Sequence, residues 1–203
     1  MILLSATQTA YVISAAIAGV LVIALLAILI FKNAYAPKHI RELTYLKLSR
    51  ICNENDYLLL NNYRIPIDDS NIGSIDHIVI SNKFIIIIND FSLSGVISGS
   101  ATNEKLKAYN KDGANLIVNP LNYNINLTKR LALFNDLNNS LIKGLVVIHN
   151  NSQINVTNSA GQFRMIKLKD LKKTIKEFDK EPVKKLKEDD VVRFIKYLND
   201  NNK

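Results

Sequence analysis

The sequence predicts an α/β fold, a mixed β-sheet flanked by helices, behind an N-terminal transmembrane helix. Three observations carry this reading. Residues 10–31 form a run without a single charged side chain. Segments 74–81, 84–90 and 144–149 are short, apolar and rich in β-branched residues, as buried strands are. Around them lie segments with helical spacing or helix-opening residues, so helices and strands alternate along the chain. A chain of 203 residues holds one ordinary domain plus an appendage. The expected division is a tail and anchor over 1–35 and a domain over 36–203, with its core at about 57–150 and a basic helical part at about 165–200.

The anchor comes first. Ala10 to Phe31 reads AYVISAAIAGVLVIALLAILIF, with Ser14 its one mildly polar interruption. As a helix these 22 residues span about 33 Å, enough for a bilayer core of ~30 Å. A cleaved secretory signal is the rival reading, but no Lys or Arg precedes the run and the run is long for a signal. Lys32, Lys38, Arg41, Lys47 and Arg50 follow the span. The positive-inside rule therefore expects a single pass through the cell membrane, the N-terminus outside and the domain in the cytoplasm. Pro37 closes the tether.

The domain elements follow in order. Residues 38–53 carry Ile40, Leu43, Leu46 or Leu48, and Ile51 at helical spacing, an amphipathic helix. Tyr57–Leu60 and Tyr63–Ile67 are short apolar runs, closed by Pro66 and the turn cluster Asp68-Asp69-Ser70-Asn71. Strands 74–81 and 84–90 are joined by Asn82-Lys83, a hairpin length in which Asn tolerates positive φ. A third strand is expected at 95–97. Asn119-Pro120 opens a helix running to about Leu137. Residues 144–149 form a buried strand and 164–168 a last one, followed by helices near 168–178 and 188–199.

Composition removes several chemistries. One cysteine, Cys52, excludes a disulfide framework and a multi-thiolate zinc cluster. Three histidines leave little for a His-rich metal site, and there is no Gly-rich phosphate loop. The 27 Ile, 25 Asn and 20 Lys suit AT-rich codons, which points to a low-GC bacterium.

Asp76 is the position where chemistry is most expected. It interrupts an apolar strand between Ile75 and Ile78-Val79-Ile80, and a charge there needs a partner or a purpose. The structural alternative is a carboxylate paired with Lys or capped by backbone amides. His77 points to the opposite face if strand alternation holds, where it packs or reaches the surface.

The stretch IDHIVIS (75–81), the apolar strand after it, SLSGVISGS (92–100) with Gly95 and Gly99, and Asn119-Pro120 together resemble the nuclease-related domain known as NERD. The similarity covers about Tyr57 to Phe134, with a continuation through GLVVIH. The resemblance implies a restriction-endonuclease-like PD-(D/E)XK fold. There a strand Asp and a Glu-x-Lys on the next strand hold Mg²⁺ beside a phosphodiester. Carboxylate oxygens suit that hard cation, the metal activates water, and Glu and Lys share a face because they are two residues apart.

Carried onto this chain, the strand Asp is Asp76, the Glu falls on Asn89 and the Lys on Phe91, with Asp90 between them facing the other way unless a bulge intervenes. The family's strand-start Gly is Phe84, the Gln after Asn-Pro is Tyr123, and Glu42 lies near the position of the first-helix Glu. These departures imply a domain that keeps its fold and has lost its reaction, with no cofactor. The alternative is an active Mg²⁺-dependent nuclease using Asp76 as metal ligand, with Asp90 and a relocated lysine such as Lys83, Lys105 or Lys107.

Charge supplies the remaining expectation. The net charge of +8 lies entirely outside the apolar run, and residues 161–203 hold 13 Lys+Arg against 8 Asp+Glu. Such a surface suits an anionic leaflet or DNA or RNA phosphates, although lysines interleaved with acids also make an ordinary solvated helix face. A membrane-associated scaffold with no nucleic-acid partner is the third reading.

Overall fold

The structure is a computed structural model that describes residues 17–29, 39–66, 71–111 and 113–202. It divides into two compact units, 1–38 and 39–203. In the first unit, residues 17–29 are helical (α1) and every one of them is exposed. Among the described residues no helix is long and apolar enough to cross a membrane. The other residues of the expected anchor, with Lys32, Pro37 and Lys38, lie outside the described residues.

The second unit begins with α2 (Ile40–Asn55) and continues through β1 (Leu58–Pro66), β2 (Ile72–Ile80), β3 (Ile85–Phe91), β4 (Val96–Ser100), β5 (Lys105–Asn110) and β6 (Gly113–Val118). Then come α3 (Pro120–Phe134), β7 (Ile142–Ile148), β8 (Gln153–Thr157), β9 (Phe163–Lys167), α4 (Leu171–Asp179) and α5 (Glu188–Asn201). The expected α/β architecture holds, but with two mixed sheets instead of one. The first has the order β1-β2-β3-β7-β9 and the second β6-β5-β4-β8. In the first sheet β1, β2 and β3 are antiparallel neighbours, while β3, β7 and β9 run parallel.

The central strands explain the apolar runs. Residues Ile85–Ile88 and Leu145–Ile148 are fully buried because helices cover both faces of the sheet. On one face Ile86, Ile88, Leu145 and Val147 pack with Leu48 and Ile51 of α2 and Ile175 and Phe178 of α4. On the other, Ile78, Ile80, Ile85 and Ile87 pack with Leu127 and Leu131 of α3 and Phe194 and Leu198 of α5. A third core joins the second sheet (Ile97, Leu106) to Leu121 of α3 and Val146 and Ile148 of β7.

Several expectations are corrected. In place of two separate runs, Leu58–Pro66 form one strand, β1, in which Asn62 sits at φ 61°; Ile67 lies outside the described residues. The hairpin after β2 uses Ser81–Phe84 without a left-handed residue. The Ser81 hydroxyl accepts the amides of Lys83 and Phe84, at 3.0 and 3.1 Å, and so closes the turn. Strand 95–97 lies at Val96–Ser100, and β5, β6 and β8 went unread. The helix expected over 121–137 ends at Phe134. The stretch 168–178 begins as a 3₁₀ turn, Leu168–Asp170, before α4. In α2, Leu48 takes the buried position and Leu43 and Leu46 are exposed.

Candidate functional site: a carboxylate pair at the split end of two strands

The site lies where β2 and β3 part. Their ladder ends at the His77–Ile88 pair. Beyond it the side chain of Asp76 takes over from the backbone, its Oδ2 accepting the Asp90 amide at 2.8 Å. Its Oδ1 accepts from the guanidinium of Arg41 on α2. On the other side of β2 the ladder to β1 skips the Asn62–Asp76 step, where Asn62 is left-handed. Alternation is lost at this irregularity. The consecutive residues Asp76 and His77 both reach α2: Asp76 binds Arg41, and the His77 ring stacks on Tyr45 with centroids 6.5 Å apart. His77 therefore does not turn away from Asp76, as strict alternation would require.

Asp90 completes the cluster. Its Oδ2 is 2.8 Å from His77 Nε2, and the other ring nitrogen is 2.6 Å from Asn61 Oδ1. Both side chains of the His77–Asp90 pair are 2% exposed. The second Asp90 oxygen, Oδ1, is buried with no hydrogen-bond partner.

The positions matched to the Glu and Lys of the resemblance lie elsewhere. Asn89 turns toward α3, where Asn124 Nδ2 donates to its Oδ1 at 2.9 Å, and its own amide donates to the Ser74 carbonyl at 2.8 Å. Tyr123 Oη accepts the Ser74 amide at 2.8 Å. The two side chains that replace expected polar motif residues thus hold both backbone groups of Ser74, two residues before Asp76. Phe91 packs in the third core, and Phe84 fills the first, edge-on to Tyr57 and Phe178.

The remaining candidates do not join the cluster. Glu42 is exposed and pairs with His39 at 3.3 Å. Lys83 donates to the Asp179 carbonyl, a link between the β2–β3 turn and the end of α4. Lys105 and Lys107 are exposed on β5 in the second sheet. The cation at the carboxylates is Arg41, which the motif alignment overlooks although it precedes Glu42. Sequence reasoning also missed Asn61 and Arg64 of β1, whose signal was polar residues (Asn61, Asn62 and Arg64) interrupting an apolar strand.

Mg²⁺ finds a poor donor set here. Both oxygens of Asp76 and one of Asp90 already hold a guanidinium, an amide and an imidazole, which leaves one buried oxygen. Among the described residues no three His, Cys, Asp or Glu side chains gather as a metal-ligand set. A cation that seeks six oxygens in near-octahedral array does not fit these residues as they stand. Beside them opens a cavity of about 380 Å³ lined by Arg41, Asn62, Tyr63, Arg64, Ser74, Ile75 and Asp76.

A strand aspartate at a splayed sheet end, paired with a helix-borne guanidinium, and a second carboxylate on the neighbouring strand make up the site of this α/β domain. The sequence model of the family described as "NERD: Nuclease-related domain" matches residues 38–149, and the chain belongs to that family. Neither a curated protein nor a solved structure matches it.

Proposed function

We propose that this chain is a membrane-anchored nuclease-related domain that holds nucleic-acid phosphate in the Arg41–Arg64 cavity without hydrolysing it. The observation that carries the reading is the occupancy of the two carboxylates. Arg41 pairs with Asp76, and Asp90 turns its Oδ2 into a buried hydrogen bond with His77, so a guanidinium offsets the carboxylate that lines the cavity, and Arg64 adds a second guanidinium to that lining. Guanidinium groups bind phosphate through paired N–H donors. Among the described residues no lysine bonds to either carboxylate, where it could orient a water, and the donor set does not suit a dication. The apolar run at 10–31, followed by five basic residues between 32 and 50, supports anchorage with the domain on the cytoplasmic side.

The test uses the full chain in detergent with labelled single-stranded and duplex DNA and RNA, read by fluorescence anisotropy across a salt series. Binding is expected to weaken with salt, and Arg64→Ala to reduce the log–log slope by about 0.7–0.9. No binding at low salt would instead favour a scaffold with no nucleic-acid partner. A second reading, an active Mg²⁺-dependent nuclease, draws on the convergence of Asp90 with Asp76 and its orphaned oxygen. Cleavage that requires Mg²⁺ and disappears in Asp76→Ala would establish that reading and refute ours.

A further inference from the structure

Strand edges need protection, since unpaired N–H and C=O groups recruit other strands. Two edges of this domain have it. The amide of Arg64 on β1 donates to Asn202 Oδ1 at 2.9 Å, and that of Met165 on β9 to Ser159 Oγ at 2.8 Å. The β6 edge is different. Its sequence, GANLIV, contains no charge and no proline. Leu116 and Val118 are 66% and 71% exposed, and no described residue covers them.

The hydrogen-bond parity of β6 fixes which groups face outward. The Asn119 amide donates to the Glu104 carbonyl at 2.9 Å, one step beyond the Lys105–Val118 pair. In an antiparallel ladder bonded and non-bonded pairs alternate. Ile117 and Asn115 are therefore bonded to β5, while Ala114, Leu116 and Val118 direct their amides and carbonyls away from the sheet.

We propose that β6 is a self-association edge that pairs antiparallel with β6 of a second copy of this chain, about a two-fold axis at Leu116. In that register Leu116 faces Leu116 of the second copy and Ala114 faces Val118, so every outward amide meets an outward carbonyl. The two apolar stripes meet side by side, and no charge lies within either strand. The nearest like charges on that face are the Lys107 pair, because Lys107 sits opposite Leu116. They would be three strand spacings apart, about 14 Å, beyond the ~8 Å screening length at physiological salt. A charged partner strand would find nothing on β6 to match it, whereas the strand is complementary to itself.

The test is sedimentation of the full chain in density-matched detergent, together with cysteine cross-linking. The wild type is expected to reach twice the protomer mass, and Leu116→Lys, which sets two ammonium groups face to face, to raise the dimer dissociation constant at least tenfold. Leu116→Cys should form an intermolecular disulfide on mild oxidation, because bonded antiparallel pairs place Cα atoms ~5.5 Å apart. Asn115→Cys, on the opposite face, should not. A single-protomer mass at 100 μM protein would overturn the proposal. So would association unchanged by Leu116→Lys, which would locate the contact elsewhere, in the apolar run 10–31 for example. Should Leu116→Lys fail to fold, as judged by its thermal unfolding, the cysteine pair decides alone.

Discussion

At the scale of single residues, Cys52 shows how burial settles reactivity. It is 2% exposed in the first core, and burial pushes its thiol up to about 11 from 9.0. A thiol held protonated is no nucleophile at neutral pH. The native state keeps its proton where the unfolded state has lost it. The associated stability is therefore complete below pH 9 and is lost as pH rises toward 11, about 2–3 kcal/mol in all. Urea unfolding from pH 8 to 11 should show that decline, and Cys52→Ala should flatten it; an equally steep decline in the variant would assign it to other groups. The same scale explains what was hidden at the site. Asp76 was legible because a charge inside an apolar strand needs a reason. Asp90 was legible only as the alternative to Asn89, because face assignment by alternation fails across one irregular step, which the left-handed Asn62 and the ladder end at His77 reveal. Arg41 was equally hidden, since nothing in a helix sequence tells which strand residue its exposed side chains meet.

At the scale of elements, buried strands announced themselves and half-exposed ones did not. Strands β3 and β7 are covered on both faces and read as unbroken apolar runs. By contrast β5 (KLKAYN) and β8 (QINVT) keep one face in solvent, and at five or six residues they carry too few alternations to stand out. Missing them merged two sheets into one. The start of α3 was legible for a physical reason: Asn119 Oδ1 accepts the amides of Leu121 and Asn122, and Pro120 needs no donor there. The junction of α3 with β7 depends on Gly144. A Cβ at that position would lie 2.1 Å from Asn124 Oδ1 and 2.7 Å from the Phe163 ring. Asn124 in turn holds the Ile87 carbonyl and Asn89. Gly144→Ala should therefore cost about 1–3 kcal/mol in urea unfolding and loosen the support beneath Asn89. A neutral effect would mean that α3 can shift away without penalty.

At the scale of the whole molecule, the proposed membrane anchorage could draw on two different forces, and salt separates them. A charge of +8 attracts an anionic surface, but that attraction collapses at 1 M salt, where the screening length is ~3 Å. Burial of apolar side chains is indifferent to such screening. In α1 the side chains of Val20, Leu21, Ile23, Leu25 and Ile28 are all at least 60% exposed, and each contributes about 1.5–3 kcal/mol when it leaves water. The thirteen helical residues reach only about 20 Å, so spanning a ~30 Å core requires the rest of the 10–31 run to continue the helix. If the proposed anchorage holds, the 203-residue chain should float with neutral phosphatidylcholine vesicles and stay with them in 1 M NaCl, while the proposed nucleic-acid binding is lost at that salt. Leu21→Lys combined with Leu25→Lys, each costing about 2.5–3.5 kcal/mol near a bilayer centre, should abolish flotation. Release of the wild type by salt alone would replace a spanning anchor with a peripheral electrostatic contact.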